Sequence, residues 1–92
     1  MGFIKQAKAD NVANEARKAF EDGRFFFAAR LNWPATHHFL SGEVADWSIQ
    51  IEAIERAGWV LSEWSVAQDK QDRPEAYPLF RRRREQAARV PQ

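Results

Sequence analysis

The segment 41–61 constrains the fold more than any other part of this chain. Ser41 and Glu43 place a hydroxyl and an acid at the start of a helix, where backbone N–H groups lack partners and the helix dipole favours negative charge. Apolar residues follow at steps of three and four, the spacing of one helical face. They are Val44, Trp47, Ile51 and Ile54. With Gly58 as a left-handed stop, the pattern predicts a helix over 43–57 that lies across a sheet.

Three segments around this helix carry strand patterns, at 24–33, 59–67 and 76–82. In the first segment the side chains alternate with the two-residue period of a strand. The side predicted to face the core comprises Phe25, Phe27, Ala29, Leu31 and Trp33. The other side comprises Phe26, Ala28, Arg30 and Asn32. The predicted fold class is therefore α+β, a three-stranded antiparallel sheet with the helix across one face.

The second and third strand segments each contain an irregularity. Trp59 and Leu61 share one side of the second segment, whereas Trp64 and Val66 share the other. This change indicates either a β-bulge or a strand whose second side meets another surface. Pro78 has no amide hydrogen, so it favours an edge position or a bulge for the third segment.

The two ends of the chain complete a single domain, since 92 residues cannot form two separate cores. Residues 11–21 carry Ala and Val at helical spacing, and the narrow apolar face predicts a helix that packs weakly or against a partner. The predicted organisation is a helical arm at 1–23, an α+β core at 24–82 and a basic tail at 83–92. A helix is one open alternative for the tail.

Composition and motifs argue against several classes of protein. The chain has no Cys, so it offers neither disulfides nor thiolate metal ligands. His37 and His38 invite a metal site, but neighbours on an extended chain point in opposite directions and no further His exists. Paired carboxylates at a cleft, a nucleophile beside a base and a glycine-rich phosphate loop are all missing. We therefore expect no enzyme, no metal and no cofactor.

No stretch of the sequence approaches the length of a membrane-spanning helix. Without Cys and without a long apolar leader, the chain fits a cytoplasmic protein with no membrane partner.

Two short segments carry a resemblance to known proteins. Ala57-Gly58-Trp59-Val60-Leu61 and Leu79-Phe80-Arg81-Arg82 resemble small bacterial domains built as strand, helix ending in Gly-Trp-x-Leu, strand, loop and a final strand ending in Phe-Lys/Arg-Arg. Pro34-Ala35-Thr36-His37 is similar to a strand end in short actinobacterial or phage-encoded proteins. The resemblance implies an α+β layout over 24–82 and a phage or accessory protein that binds a host protein. It implies no activity.

Two functions remain as hypotheses. A three-stranded sheet with one covering helix leaves an apolar surface, for which the covers left open are a second copy, a host protein and the N-terminal helix. This surface favours a non-enzymatic protein–protein interaction module that forms a homodimer or small oligomer. The apolar residues predicted for this interaction are Phe26, Ile49, Trp64 and Val66. The alternative is binding of nucleic acid or another anion by Arg81, Arg82, Arg83 and Arg84, against which the net charge of only +1 argues. Which sheet face is open is left undecided by the sequence.

Overall fold

The structure, a computed structural model, describes residues 2–34 and 41–84. Within these residues the chain forms two helices and three strands. They are α1 (Gly2–Glu21), β1 (Phe26–Ala28), α2 (Ala45–Arg56), β2 (Trp59–Gln68) and β3 (Pro74–Arg82). The sheet is antiparallel with the order β1-β3-β2, so the last strand of the chain lies in the middle. The predicted α+β class is confirmed.

Helix α1 is longer than the predicted helix at 11–21 and belongs to the core. Three of its small residues are buried in one cluster with residues of α2 and the sheet. The cluster comprises Val12, Ala16, Ala19, Ile54, Trp59 and Phe80. The indole Nε1 of Trp59 donates a hydrogen bond to the backbone carbonyl of Ala16 at 2.9 Å. The prediction of weak packing was wrong, because short side chains let α1 lie close to its neighbours and bury its backbone against them.

The predicted start of helix α2 at 43, with a cap from Ser41, was wrong: the helix begins at Ala45, its N-cap residue is Val44, and no side chain caps its first turn. Its predicted inward face is confirmed: Trp47 and Ile54 are buried, and the two remaining members are half-buried against the core. The face on which Ile49 lies is covered by α1, since Ile49 packs with alanines of both helices.

The turn between α2 and β2 depends on Gly58, as predicted. Its φ of +109° lies in a region that side-chain-bearing residues rarely adopt. A Cβ at this position would also lie 2.5 Å from the ring of Phe20. Gly58 therefore lets the end of α1 approach the start of β2.

Pro78 lies buried in the central strand β3, which corrects the prediction of an edge position. Alternate residues of β3 turn their backbone groups toward β1: Ala76 exchanges two hydrogen bonds with Leu31, and the carbonyl of Pro78 accepts the N–H of Ala29. Only the bond that would return to Ala29 is lost, because the same residues make no bonds to β2. Regular pairing of β1 ends at that point, which explains why the predicted strand 24–33 is observed as three residues and a bridge at Leu31.

The change of apolar side in β2 is a β-bulge. The pairing of β2 with β3 shifts register between Leu61 and Glu63. The extra residue turns Trp64 and Val66 to the sheet side that also carries Trp59, the side covered by the helices. Of the two interpretations of this pattern, the bulge is therefore the correct one.

The helices cover one side of the sheet, and we call the other side the open face. Its residues in the three strands and their extensions include Phe26, Ala28, Arg30, Val60, Glu63, Ser65, Tyr77, Leu79 and Arg81. Phe25 was predicted to face the core but is 75% exposed. It precedes β1 at the outer margin of the sheet, where no helix covers it.

Candidate interaction surfaces

Among the residues that the structure describes, the outer edge of β2 has backbone groups without partners. Pro78 and Ala76 of β3 direct their backbone groups toward β1 and therefore make no hydrogen bonds to β2. Trp64 and Val66 of β2 lie opposite these two residues, so their own backbone N–H and C=O groups point away from the sheet. The same holds for Gln68. Within residues 2–34 and 41–84, no hydrogen bond reaches the outward N–H and C=O groups of these three residues. An unpaired edge of this kind is a template for another strand.

The beginning of this edge is closed by side chains. The N–H of Leu61 donates to the carboxylate of Glu55 at 3.4 Å, and the carbonyl of Trp59 accepts from the guanidinium of Arg83 at 3.2 Å. The free edge of β2 is therefore the segment 62–68.

The free edge lacks the residues that usually discourage strand pairing. Proteins protect edge strands with Lys, Pro, β-bulges, inward charges or short length. The bulge of β2 lies at the start of the free edge, before Trp64. The free edge contains neither Lys nor Pro, and Glu63 is its single charged residue. The opposite edge of the sheet is different, because β1 has only three residues and Arg24 and Arg30 flank it. The two edges thus differ in their capacity to accept a partner.

Two large apolar side chains are exposed on the free edge. Trp64 is 49% exposed and Val66 is 55% exposed. The ring of Trp64 meets the ring of Trp47 edge-on, with centroids 6.0 Å apart, and Trp47 meets Trp33 in the same way at 5.5 Å. The indole of Trp47 is itself held by a 2.9 Å hydrogen bond to the carbonyl of Asn32. Trp64 therefore presents apolar surface from a supported ring, which lowers the entropy cost of binding.

Phe26, the other exposed aromatic residue of the predicted set, lies on the open face, across the sheet from Trp64 and Val66. The guanidinium of Arg81 lies 5.8 Å from the centroid of its ring and donates a hydrogen bond to the hydroxyl of Ser62 at 3.3 Å. The predicted interaction residues therefore do not form one surface.

Tyr77 and Glu75 form a polar pair on the open face. The Tyr77 hydroxyl donates to a carboxylate oxygen of Glu75 at 2.5 Å. This hydrogen bond, more than any other cause, raises the pKa of Tyr77 above its ordinary value of 10.0. The pair stabilises the folded state below pH 10, and this contribution is lost as the pH rises through the folded-state pKa of Tyr77.

The Tyr77 pKa can be measured directly, because Tyr77 is the only Tyr in the chain. We expect the ultraviolet absorbance of tyrosinate to titrate with a midpoint above 10.0 in the folded protein. Glu75→Gln should lower the midpoint toward 10.0, since it removes the carboxylate that favours the protonated phenol. Glu63→Gln, a change to an exposed acid on the same face, should leave the midpoint unchanged. Equal midpoints for wild type and Glu75→Gln would contradict the assigned cause.

The arginine run closes the C-terminal ends of both helices. Arg82 lies 3.9 Å above the ring of Phe20 and donates to the carbonyl of Phe20 at 2.7 Å and to that of Arg24 at 2.9 Å. Arg83 donates to the carbonyl of Glu55 at 2.6 Å. The carbonyls of Phe20 and Glu55 also accept the N–H groups of Gly23 and Gly58, and the negative end of each helix dipole attracts a cation. Sequence reasoning missed these roles, because Arg82 and Arg83 are far from both helix ends in the sequence.

A partly buried ion pair joins the two helices. Lys8 of α1 lies 2.9 Å from the carboxylate of Asp46 in α2, which is 3% exposed, and Gln50 donates to the same oxygen at 3.2 Å. Every buried polar side-chain atom in the described part of the chain has a hydrogen-bond partner. We therefore interpret this ion pair as a structural contact that orients α1 on α2.

The described residues contain neither a metal-binding cluster nor a membrane-spanning helix. Across 2–34 and 41–84, no three His, Cys, Asp or Glu side chains are grouped so that they could hold a metal ion. His37 and His38 lie outside the described residues, as do residues 85–92 of the predicted tail. None of the helices in the described part has the length and apolar character needed to cross a membrane.

The fold is that of a small α+β domain with two helices on one side of a three-stranded sheet. Comparison with family models, curated proteins and solved structures finds no match to this chain. The assignment of a function therefore depends on the surfaces described above.

Proposed function

We propose that this chain is a non-enzymatic protein–protein interaction module that self-associates through the free edge of β2. The observation that carries the proposal is that outward, unpaired backbone groups and the exposed side chains of Trp64 and Val66 occur on the same edge. A strand added at this edge would pair the backbone groups and bury both side chains at once.

A second copy of the chain is the partner that this edge fits best. Two identical edges have the same apolar side chains and complementary donors and acceptors, and a symmetric pair leaves neither edge open to further growth. A host protein that offers an extended segment would use the same edge and is the heterologous form of the proposal. The cytoplasmic location expected from the sequence and a role as a phage or accessory protein belong to this proposal.

Binding of nucleic acid or another anion by residues 81–84 is the second proposal. It has less support, because Arg82 and Arg83 would have to give up their contacts with the helix ends. Arg81, beside Phe26 on the open face, is the member of the run that best suits a stacked base and its phosphate.

Val66→Asp is expected to weaken self-association at least about tenfold, or 1.4 kcal/mol, because it places a charge among the apolar side chains of the pairing edge. Phe26→Asp is the matched control: Phe26 is 50% exposed, close to the 55% of Val66, but lies on the open face beside β3. Sedimentation equilibrium over the micromolar range measures both variants against wild type, with circular dichroism as the check of folding.

Three results would count against the proposal. A wild-type protein that is monomeric at every concentration would refute self-association. Loss of the dimer in Phe26→Asp with retention in Val66→Asp would move the interface to the open face. A salt-sensitive shift of a labelled single-stranded oligonucleotide that Arg81→Ala abolishes, in a chain that does not self-associate, would favour the second proposal.

A further inference from the structure

The geometry of the free edge points to one arrangement of the dimer: two β2 strands pair antiparallel about a twofold axis at Ser65 and make a continuous six-stranded sheet. This inference rests on the proposed self-association and specifies the contact. It follows from the direction of the backbone groups, the extent of the free edge and the placement of its charge.

The direction of the backbone groups limits the registers. Trp64 and Val66 point their N–H and C=O groups outward, whereas Glu63, Ser65 and Ala67 use theirs for β3. In an antiparallel pair the hydrogen-bonded residues face each other directly. An outward residue of one copy must therefore lie opposite an outward residue of the other, which fixes the twofold axis at a residue position rather than between two residues.

The extent of the free edge selects the residue. Glu55 closes the edge at Leu61, and the hairpin turn begins after Gln68. The free segment 62–68 has its midpoint at Ser65. Because a twofold contact uses the same residues on both copies, an axis at Ser65 pairs the whole free segment with itself.

Side-chain chemistry favours the same axis. An axis at Ser65 places Trp64 of each copy opposite Val66 of the other copy, on the side of the sheet that carries the helices. Cross-strand pairs of an aromatic and a β-branched side chain stabilise sheets. On the open face this axis places Glu63 opposite Ala67. Moving the axis to Val66 would set Glu63 opposite Asp69, an unfavourable pair of acids.

Moving the axis to Trp64 is also less favourable. Gln68 would then lie opposite Val60, which precedes the bulge and pairs with Arg81 of β3 through its backbone. The outward groups of Gln68 would lose their partner. The axis at Ser65 avoids the pair of acids and places Gln68 opposite Ser62, the first residue of the free segment.

Disulfide cross-linking tests this arrangement in a chain that has no Cys of its own. Across the axis the two copies of Ser65 form a non-hydrogen-bonded pair with Cα atoms about 4.5 Å apart. This separation lies within the range of about 4.4 to 6.8 Å that a disulfide spans. Ser65→Cys should therefore form a covalent dimer under mild oxidation, visible on a non-reducing gel and lost on reduction.

Tyr77→Cys is the matched control. Tyr77 lies beside Ser65 on the open face but one strand further from the axis, so its two copies would be separated by three strand spacings of about 4.8 Å each. It should not cross-link. A mixture of Glu63→Cys with Ala67→Cys should give a mixed dimer, whereas Ser65→Cys mixed with Ala67→Cys should not.

The outcomes separate this inference from the proposed function. A dimer in sedimentation that Ser65→Cys fails to trap, or that Tyr77→Cys traps equally well, overturns the axis at Ser65 while self-association stands. Preferential trapping of Ser65→Cys with Ala67→Cys would move the axis to Val66 and also overturn it. A monomer at every concentration removes the proposed function and the inference together.

Discussion

Trp59→Ala is expected to lower the free energy of unfolding by about 3 to 5 kcal/mol, the range for loss of a large buried aromatic side chain. Domains of this size have a total stability of about 5 to 15 kcal/mol, so the variant should be largely unfolded at moderate urea or temperature. The expected loss is large because Trp59 contacts α1, β1 and the end of β3 at once.

The contacts of Trp59 explain this magnitude. Its side chain is fully buried, with the ring of Phe20 edge-on at 5.6 Å and the ring of Phe27 stacked at 5.8 Å. Its indole N–H donates to the carbonyl of Ala16. Removal of the ring leaves a cavity between the helices and the sheet and also removes the hydrogen bond from the indole to that carbonyl.

Urea unfolding followed by circular dichroism measures the effect. Trp59→Phe keeps an aromatic ring but loses the donor, so it should cost less, about 1 to 3 kcal/mol. Trp64→Ala removes the same type of side chain from a half-exposed site and should cost less than Trp59→Ala. A Trp59→Ala variant within about 1 kcal/mol of wild type would contradict the docking of α1 onto the sheet.

The elements that follow from local pattern were predictable from the sequence. The inward face of α2 and the glycine stop at Gly58 depend on spacing and on one backbone conformation, both of which the residues specify directly. The bulge in β2 was one of two interpretations. The change of apolar side after Leu61 is visible in the sequence, but the sequence does not show which residues of the neighbouring strand pair with it.

The elements that depend on non-local neighbours were not predictable. A proline costs a sheet one bond only on the side to which its N–H would point, so Pro78 in a central strand required knowledge of the strand order. The alanine residues on one face of α1 do not indicate from the sequence how closely α2 and the sheet pack against that face. The free edge of β2 likewise follows from the strand order. Trp64 and Val66 were nevertheless identified as interaction residues, from the side of the strand on which the two-residue period places them.

The arginine run shows the same limit at the level of single residues. As a sequence, four consecutive arginines near the end of a chain resemble a solvated basic tail. In the fold, β3 ends where both helices end, so Arg82 and Arg83 reach the carbonyls of α1 and α2. The positive charges are used within the chain because the topology brings two helix C-termini to one place.

Arg82→Ala is accordingly expected to lower the free energy of unfolding by about 2 to 4 kcal/mol. The lost contacts are a cation over the Phe20 ring, worth about 0.5 to 2 kcal/mol, and two charged hydrogen bonds of about 1.5 to 3 kcal/mol each. These contributions are not additive, and the partial exposure of Arg82 weakens them through solvent screening, so the expected loss is smaller than their sum.

Arg84→Ala is the control for charge, since it removes the same side chain from the same run at an exposed position and should change stability by no more than about 0.5 kcal/mol. Arg82→Lys tests geometry: an ammonium cannot stack flat on Phe20 while it donates to two carbonyls, so less than half of the loss should be recovered. Urea unfolding gives all three values.

If Arg82 instead served an anionic ligand, Arg82→Ala and Arg84→Ala would have similar stability, and both would weaken oligonucleotide binding. The distances around Arg82 predict the opposite, a variant that is less stable before any ligand is added.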